Sequence, residues 1–301
     1  MGSIIRNIRS GLQPVAAVLL IVFLAGCSTT ETLRPPAPAV SFAPTSKYAA
    51  IVVDANNGNT LFQSSATAPR YPASLTKMMT LYMLFEAMEQ GRVSNATLIP
   101  VSAYAAARPP SKLGFRAGET ISVQSAIQAL CTKSANDVAA AVAEYLGGTE
   151  GQFAAQMTAK ARQLGMSGTV FRNASGLPDD GQRTTARDMA VLGIALRNRF
   201  PNHYASFSAR EFTFRGKLVK GHNDMLGRVR GVDGIKTGYI RASGYNIVTS
   251  VQADGRGLVV VVMGGQSAKA RNAHVEELIA RYLPAASRRG GGSRGGLFAR
   301  N

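Results

Sequence analysis

Residues 71–85 read YPASLTKMMTLYMLF and combine a reactive pair with the pattern of a buried helix. From Lys77 to Phe85 the side chains are almost continuously apolar, which predicts a central, buried helix over residues 75–89. Ser74 precedes Lys77 by three residues, so both side chains lie on one helix face. A serine hydroxyl needs an adjacent base to become a nucleophile, and a buried lysine needs a reason to be there. The same spacing also arises by chance, as a helix cap followed by a surface lysine.

Strand patterns occupy both ends of the chain, and helix patterns occupy its middle. Segments rich in β-formers and punctuated by Gly predict strands over residues 49–54, 60–63, 212–219, 234–239, 245–253 and 258–264. Helical patterns predict further helices over residues 123–131, 135–146, 152–164, 185–199 and 268–283. This order predicts one α/β (α+β) domain in which strands from the two chain ends share a sheet.

Two further short motifs extend the chemistry of the first. Residues 134–136 read Ser-Ala-Asn, and taken alone Ser134 is a helix cap with Asp137 three residues later. Residues 236–238 read Lys-Thr-Gly, which alone indicates only a strand and a turn. In this order, at a helix start, a helix cap and a strand, the three motifs form the signature of class A β-lactamases and penicillin-binding proteins.

Five longer stretches make the match to known proteins more specific. They read PASLTKMMT, KSANDVAAAVAE, LGMSGTVFRNASGLPDDGQRTTARDMA, VDGIKTGYIRASGYNIV and VVVVMGG, within residues 46–283. These stretches resemble the D-alanyl-D-alanine carboxypeptidases of the low-molecular-mass penicillin-binding proteins, serine peptidase family S11. The resemblance implies a β-lactamase/penicillin-binding-protein transpeptidase-like fold, with an antiparallel sheet from both chain ends, flanking helices and a helical subdomain. It also implies an enzyme that removes the terminal D-Ala of peptidoglycan stem peptides, that β-lactam antibiotics inhibit covalently, and that needs no metal or organic cofactor.

The resemblance assigns the chemical steps to three side chains. Ser74 attacks the carbonyl carbon of the D-Ala-D-Ala bond and becomes acylated, and Lys77 acts as its general base. Ser134 relays a proton toward the leaving amine. Water then hydrolyses the acyl-enzyme.

The resemblance also implies which side chains bind the substrate. Asn136 holds the substrate amide. Lys236 and Thr237 bind the terminal carboxylate, and Arg271 assists them. Because a second cation lowers the pKa of a lysine, Lys236 is also expected to help keep Lys77 neutral.

Backbone groups complete the implied site. Gly238 allows an extended peptide to approach the strand edge closely. The backbone N–H groups of Ser74 and Tyr239 form the oxyanion hole. The family often has Thr where this chain has Ile240, so the local hydrogen bonding is expected to differ at that position.

Residues 1–26 are predicted to be a lipoprotein signal peptide. The apolar run of ten residues at 15–24 is too short for a transmembrane helix and suits the apolar region of a signal peptide. Leu-Ala-Gly-Cys at 24–27 resembles the lipobox of bacterial lipoproteins, in which Cys27 is lipidated and begins the mature chain; an ordinary signal peptide with a nearby Cys is the alternative. Ser28 favours the outer membrane over the inner. The prediction is a periplasmic protein held to the membrane by its N-terminal lipid.

The amino-acid composition predicts a tether, a catalytic domain and a tail in the rest of the chain. Residues 27–45, rich in Pro, Thr and Ala, are predicted to form a tether, and residues 284–301 a disordered Gly/Arg-rich tail. The catalytic domain is predicted to span residues 46–283. The net charge of +17 indicates anionic surroundings, and export favours envelope polymer or lipid over nucleic acid as the partner. Cys131, in a helical run, is predicted to be an apolar core residue.

Other classes of protein share parts of this pattern. A DD-endopeptidase that cuts peptidoglycan crosslinks would use the same site. A class A β-lactamase would add a glutamate for deacylation, but its usual Glu-x-x-Leu-Asn motif is absent between Ser134 and Lys236. A structural lipoprotein that only binds peptidoglycan would not need both Ser74 and Lys77. The three His are too scattered for an HExxH-type zinc site.

Overall fold

A computed structural model of the protein describes residues 44–289. Cys27 with the predicted signal peptide, most of the predicted tether and residues 290–301 of the predicted tail lie outside the described residues. The strands are β1 (Ala49–Asp54), β2 (Thr60–Ser64), β3 (Leu98–Pro100), β4 (Thr120–Ser122), β5 (Glu211–Phe214), β6 (Lys217–Lys220), β7 (Val232–Ile240), β8 (Gly244–Ala253) and β9 (Arg256–Gly265). The α-helices are α1 (Lys77–Glu89), α2 (Ala103–Ala106), α3 (Val123–Gln128), α4 (Asn136–Gly147), α5 (Glu150–Gln163), α6 (Ala186–Arg199), α7 (Pro201–Tyr204) and α8 (Ala268–Tyr282). Within the described range, no helix combines the length and apolar character that crossing a bilayer requires.

Five strands form one antiparallel sheet in the order β2-β1-β9-β8-β7. The pairing of β1 with β9 joins the two ends of the domain, with Ile51 opposite Val261. This sheet confirms the predicted fold, in which strands from both chain ends pair and helices flank them. Strand β9 is rich in valine and buried along almost its whole length, because helices cover both faces of the sheet.

Successive residues of β1 face two different hydrophobic clusters, because side chains alternate along a strand. Ile51 belongs to the cluster that contains Phe85 of α1 and Leu192 of α6. Val52 belongs to the cluster that contains Val275 of α8. The sheet is therefore sandwiched between α8 on one face and the remaining helices on the other.

Helix α1 is the central helix of the larger cluster, as its apolar sequence predicts. Nine of its 13 residues are buried. Helices α4, α5 and α6 pack around it. The residues at its N-terminal end are consequently held inside the protein rather than at its surface.

Several elements differ from the sequence predictions. The strand predicted over residues 212–219 is a hairpin of β5 and β6, because Arg215 and Gly216 take positive φ values of 49° and 72° at its turn. The helix predicted from residue 75 begins as a 3-10 turn, Ala73–Thr76, and becomes α-helical at Lys77. Strands β3 and β4 and helices α2 and α7 were not predicted, since elements of three or four residues are too short to display a period.

The start of the described chain lies at the end of the sheet where β7 meets β8. Thr45 Oγ1 donates a hydrogen bond of 2.9 Å to Gly264 O. Lys47 Nζ donates a hydrogen bond of 2.9 Å to Arg241 O, in the turn between β7 and β8. These bonds fix the entry of the chain into β1.

The final described residues lie at the opposite end of the sheet, beside the turn between β8 and β9. Ser287 N donates a hydrogen bond of 2.6 Å to Asp54 Oδ2. Arg289 N donates a hydrogen bond of 2.8 Å to Gly255 O. Residues 284–289, which were predicted to belong to the disordered tail, therefore pack on the sheet, because these backbone groups find partners there.

Candidate active site

Ser74 lies in the 3-10 turn directly before α1. In 3-10 geometry, side chains three residues apart eclipse one another, so Ser74 and Lys77 point the same way. Lys77 Nζ lies 3.2 Å from Ser74 Oγ. The chain enters the turn through Ala73, whose φ of +50° lies in the left-handed region that residues with a side chain rarely adopt. The turn therefore needs support from the segments around it.

Two glycines allow neighbouring segments to pack directly on this turn. A Cβ atom on Gly176 would overlap Ala73 O, and Gly176 itself has a φ of +85°. A Cβ atom on Gly238 would lie 3.0 Å from Ser74 N. Gly238, predicted to let the substrate approach the strand, also lets the serine turn approach it. A side chain at either position would displace Ser74.

The Lys77 side chain is fully enclosed, with none of its surface exposed. Burial is the main cause that lowers the pKa of Lys77 well below its usual value, and the charge of Lys236 acts in the same direction. Glu150 and Asp137 carry negative charges that oppose this change in pKa. The outcome favours an uncharged amine at neutral pH.

Three oxygen atoms surround the Lys77 amine. Lys77 Nζ donates a hydrogen bond of 2.7 Å to Asn136 Oδ1 and one of 2.6 Å to Ser175 O. In the uncharged form that burial favours, the amine has two hydrogens for these two acceptors and one lone pair. The lone pair is left for the hydroxyl of Ser74, which lies 3.2 Å away. The geometry therefore equips Lys77 to accept the Ser74 proton.

Ser134 does not cap α4, although its local sequence taken alone indicates a helix cap. It ends a π-helical turn, Ala129–Lys133, with φ 59° and ψ 40°, and α4 begins two residues later behind Ala135, which makes no side-chain cap bond. The left-handed backbone turns the Ser134 hydroxyl into the cleft. Its Oγ is buried and has no hydrogen-bond partner among the described residues. A buried hydroxyl without a partner is available to a substrate atom.

Both ends of the Asn136 amide are engaged by the protein. Its Oδ1 accepts the hydrogen bond from Lys77, and its Nδ2 donates one of 2.9 Å to Pro109 O. Its backbone N–H donates a hydrogen bond of 2.7 Å to Ser111 O. Asn136 thus joins Lys77 to the loop that lines the cleft, which leaves one Nδ2 hydrogen for the predicted contact with a substrate amide.

Two buried cations lie at the end of the cleft predicted to bind a carboxylate. Burial is the main cause that lowers the pKa of Lys236 to about 8, and Arg271 acts in the same direction. Burial also lowers the pKa of Arg271 to about 10. Arg271 is held by hydrogen bonds from its guanidinium to Asn246 O and Asn272 Oδ1. A bound carboxylate would offset both charges, and Thr237 lies beside them in the wall of the cleft.

Tyr239 stands at the rim of the cleft. Its side chain is 53% exposed, and its ring centroid lies 4.4 Å from that of Tyr245, its partner across strands β7 and β8. The backbone of Tyr239 continues from Gly238 past the serine turn. Ile240, where relatives often have Thr, also lines the cleft.

The predicted site residues come together around one cleft of about 450 Å³. All of those within the described range line it except Lys77, whose amine is enclosed behind Ser74. Among the described residues that line the cleft, Asp224 is the only carboxylate. Within residues 44–289, no cluster of three or more metal-ligating side chains occurs.

Sequence reasoning assigned no role to the segment that carries Ser175 and Gly176. Ser175 acts through its carbonyl oxygen, a group that every residue has, so its identity gives no signal. Gly176 acts through its lack of a side chain. The stretch FRNASGLPDD resembles the family, but that resemblance gives none of its residues a role.

Cys131 packs against the hydrophobic core and is half-buried. Burial of the thiol raises the pKa of Cys131 to about 12. The thiol therefore stays protonated and unreactive, in agreement with its interpretation as a small apolar residue.

Comparisons with known proteins point to one family. The model of the D-alanyl-D-alanine carboxypeptidase family, peptidase S11, matches residues 37–267. The D-alanyl-D-alanine carboxypeptidase DacA of Escherichia coli is 36% identical over 236 residues, which cover 76% of this chain and 59% of that protein. The DacD protein of Salmonella typhimurium is 32% identical over 271 residues, covering 86% of this chain and 70% of its own. The chain thus spans about three fifths of the length of DacA.

Solved structures agree with the sequence comparison. Penicillin binding protein 5 from Haemophilus influenzae has a TM-score of 0.76 and 30% identity, covering 80% of this chain and 72% of its own. Penicillin-Binding Protein D2 from Listeria monocytogenes, solved in an ampicillin-bound form, has a TM-score of 0.68 and 30% identity, covering 77% of this chain and 95% of its own. The fold is therefore that of a penicillin-binding protein. The chain belongs to the D-alanyl-D-alanine carboxypeptidase family, peptidase S11, of low-molecular-mass penicillin-binding proteins.

Proposed function

We propose that this protein is a serine-type D-Ala-D-Ala carboxypeptidase that removes the terminal D-Ala of peptidoglycan stem peptides. The observation that carries the proposal is the enclosed pair of Ser74 and Lys77, in which burial lowers the pKa of an amine that two other acceptors hold 3.2 Å from the hydroxyl. A surface lysine beside a capping serine would have neither this burial nor these partners. The family to which the chain belongs supports the same activity.

Acylation begins when Ser74 Oγ attacks the carbonyl carbon of the D-Ala-D-Ala bond and its proton passes to Lys77 Nζ. A C–O bond forms, and the carbonyl oxygen takes a negative charge that the backbone N–H groups of Ser74 and Tyr239 stabilise. The unpartnered Ser134 hydroxyl relays a proton to the leaving amine as the C–N bond breaks. D-Ala departs, and a water molecule then hydrolyses the ester and restores Ser74.

The buried cations supply the preference for a free C-terminus. Lys236, Arg271 and the Thr237 hydroxyl bind the terminal carboxylate, which fixes the scissile carbonyl beside Ser74. Cleavage of peptidoglycan crosslinks would use the same nucleophile, and it remains the alternative activity at this site.

β-Lactam antibiotics acylate the same serine in this proposal. The ampicillin-bound form of the Listeria relative supports it. A β-lactamase removes the acyl group with the help of a glutamate. Because the described lining of this cleft contains no glutamate, the penicilloyl-enzyme is expected to persist.

The full chain is expected to be labelled by fluorescent penicillin and to release D-Ala from a stem pentapeptide that ends in D-Ala-D-Ala. A pentapeptide with an amidated C-terminus serves as the matched control. Its kcat/KM should be lower by about tenfold or more, since the two buried cations lose their carboxylate. D-Ala is measured with a D-amino-acid oxidase assay, and labelling is measured on denaturing gels.

Other outcomes would replace the proposal. Cleavage of crosslinked dimers without release of D-Ala from the pentapeptide would favour the endopeptidase. Rapid loss of the penicillin label with turnover of free penicillin would favour a β-lactamase. If the protein is neither labelled by penicillin nor active on the peptide, the remaining class is a structural protein that only binds peptidoglycan.

Anchoring of the protein to the cell envelope is a second part of the proposal, and it rests on residues 24–27, outside the described range. A lipid on Cys27 would hold the catalytic domain near peptidoglycan through the tether. Replacing Cys27 with Ala is expected to move the protein from the membrane fraction to the soluble fraction or to leave it unprocessed. Cys131→Ala, at the other cysteine of the chain, should leave fractionation unchanged. A Cys27→Ala variant that fractionates like the parent protein would contradict the lipid anchor.

A further inference from the structure

Glu150 is a buried carboxylate behind the catalytic pair that the mechanism above does not use. It is the first residue of α5 and only 6% exposed. Neither the sequence motifs nor the lining of the cleft includes it. A buried carboxylate is costly unless its oxygens are well paired, so its partners indicate its purpose.

The partners of Glu150 are on the loop that carries Ser175. Glu150 Oε1 accepts a hydrogen bond of 3.0 Å from Ala174 N, and Thr80 Oγ1 donates one of 2.7 Å to Ala174 O. The backbone of Ala174 is therefore held at both its N–H and its carbonyl group. The next carbonyl along the chain, Ser175 O, accepts the hydrogen bond of 2.6 Å from Lys77 Nζ. Glu150 thus binds Ala174, the residue directly before Ser175, whose carbonyl oxygen orients the Lys77 amine.

The other carboxylate oxygen of Glu150 is also paired. Tyr104 OH donates a hydrogen bond of 2.6 Å to Glu150 Oε2. Burial and this bond raise the pKa of Tyr104 to about 12, so its hydroxyl remains a donor.

Charges of both signs surround Lys77. The charged groups that act on it are Lys236 of β7, Glu150 of α5 and Asp137 of α4, and Lys77 itself acts on His222 in the segment between β6 and β7. Asp137 accepts hydrogen bonds from the backbone N–H groups of Leu113 and Gly114 and so supports a different loop. Glu150 is the one of these carboxylates that also holds the Ser175 loop.

We infer that Glu150 is a positioning residue for acylation: it holds the Ala174–Ser175 segment against Lys77, and its negative charge opposes that of Lys236. This inference rests on the proposed function of Ser74 and Lys77. Two consequences can be separated by substitution, since the hydrogen bond depends on the reach of the side chain and the electrostatic effect depends on its charge.

The test is the pH dependence of the second-order rate constant for acylation of the full chain by fluorescent penicillin. Glu150→Gln keeps the shape and an acceptor for Ala174 N but removes the charge. Without that charge the neutral form of Lys77 extends to lower pH, so the acid limb of the profile should shift to lower pH while the plateau rate stays near that of the parent. Glu150→Asp keeps the charge but shortens the reach, so its acid limb should stay near that of the parent while its plateau rate falls by about tenfold or more.

Glu89→Gln is the matched control. Glu89 is exposed and is the last residue of α1, twelve residues beyond Lys77 and so about 18 Å along the helix. Its removal changes the net charge equally and should leave the profile unchanged. Thermal unfolding of each variant identifies any that has lost its fold.

Three results would overturn the inference. These are a Glu150→Gln acid limb at the parent pH, an equal shift in Glu89→Gln, and an unchanged plateau rate in Glu150→Asp. If Glu150→Gln fails to fold, Glu150→Asp still tests the positioning. Failure of the proposed function is distinguishable, because the parent protein itself would then not be acylated.

Discussion

Replacing Ser74 with Ala is expected to abolish both penicillin labelling and release of D-Ala, a loss of at least about 10⁴-fold in rate. The substitution removes only the hydroxyl oxygen, which is the atom that would form the acyl ester. The 3-10 turn and α1 do not depend on this hydroxyl, because Ser74 caps neither element. The two cap residues are Pro72 and Thr76, and neither makes a side-chain hydrogen bond to its helix. The free energy of unfolding should therefore change by about 1 kcal/mol or less.

Two measurements complete this experiment. Mass spectrometry of the parent protein after penicillin treatment should locate the added mass on the peptide that contains Ser74. Ser208→Ala, at an exposed serine whose hydroxyl donates a hydrogen bond to Ala205 O, should retain full labelling. Labelling of the Ser74→Ala variant at any other residue would falsify the assignment of the nucleophile.

Replacing Lys77 with Arg is expected to abolish acylation even where the protein folds. Lys77 is equipped to act as a base because burial and Lys236 lower the pKa of its amine. A guanidinium does not give up its proton near neutral pH, so it has no lone pair to offer Ser74. The rate of penicillin acylation should fall by about 10³-fold or more, measured by stopped-flow fluorescence.

The enclosed site of Lys77 makes a folding control necessary. An arginine is larger than a lysine, and overpacking of this kind typically lowers the free energy of unfolding by about 1–3 kcal/mol. Lys77→Met keeps a similar volume without the amine and should also be inactive while remaining folded. Lys236→Arg keeps a cation for the carboxylate and should retain more activity than Lys77→Arg. Acylation of a folded Lys77→Arg protein at the parent rate would mean that another group is the base.

The sequence predicted the parts of the site whose signals are local. The apolar run after Lys77 predicted a buried helix, and the short spacing from Ser74 predicted the pair. The valine-rich strands predicted the sheet, and the order of the elements predicted that both chain ends share it. In each case a few consecutive residues carry enough information, since periodicity and spacing are properties of the chain itself.

The sequence could not predict what depends on one backbone turn or on distant packing. Ser134 has the sequence of a helix cap, but one π-helical turn before it changes the direction of its hydroxyl. Ser175 contributes a carbonyl oxygen, which no residue type identifies. Glu150 acts from 73 positions beyond Lys77, and no pattern in a single sequence links the two. These features require the three-dimensional structure.

The placement of the two ends of the described chain bears on how the protein can be handled in the laboratory. Arg289 lies beside the turn that follows Ala253, eight residues and so about 26 Å along β8 from Tyr245 at the cleft. An affinity handle or fluorophore attached beyond Arg289 would leave the cleft open to a bulky polymer when the protein is captured on a surface. A handle joined directly before Thr45, without the length of the predicted tether in between, would instead lie next to the turn at Arg241 and obstruct that approach. Immobilised binding measurements with intact sacculi therefore call for capture through the C-terminal side.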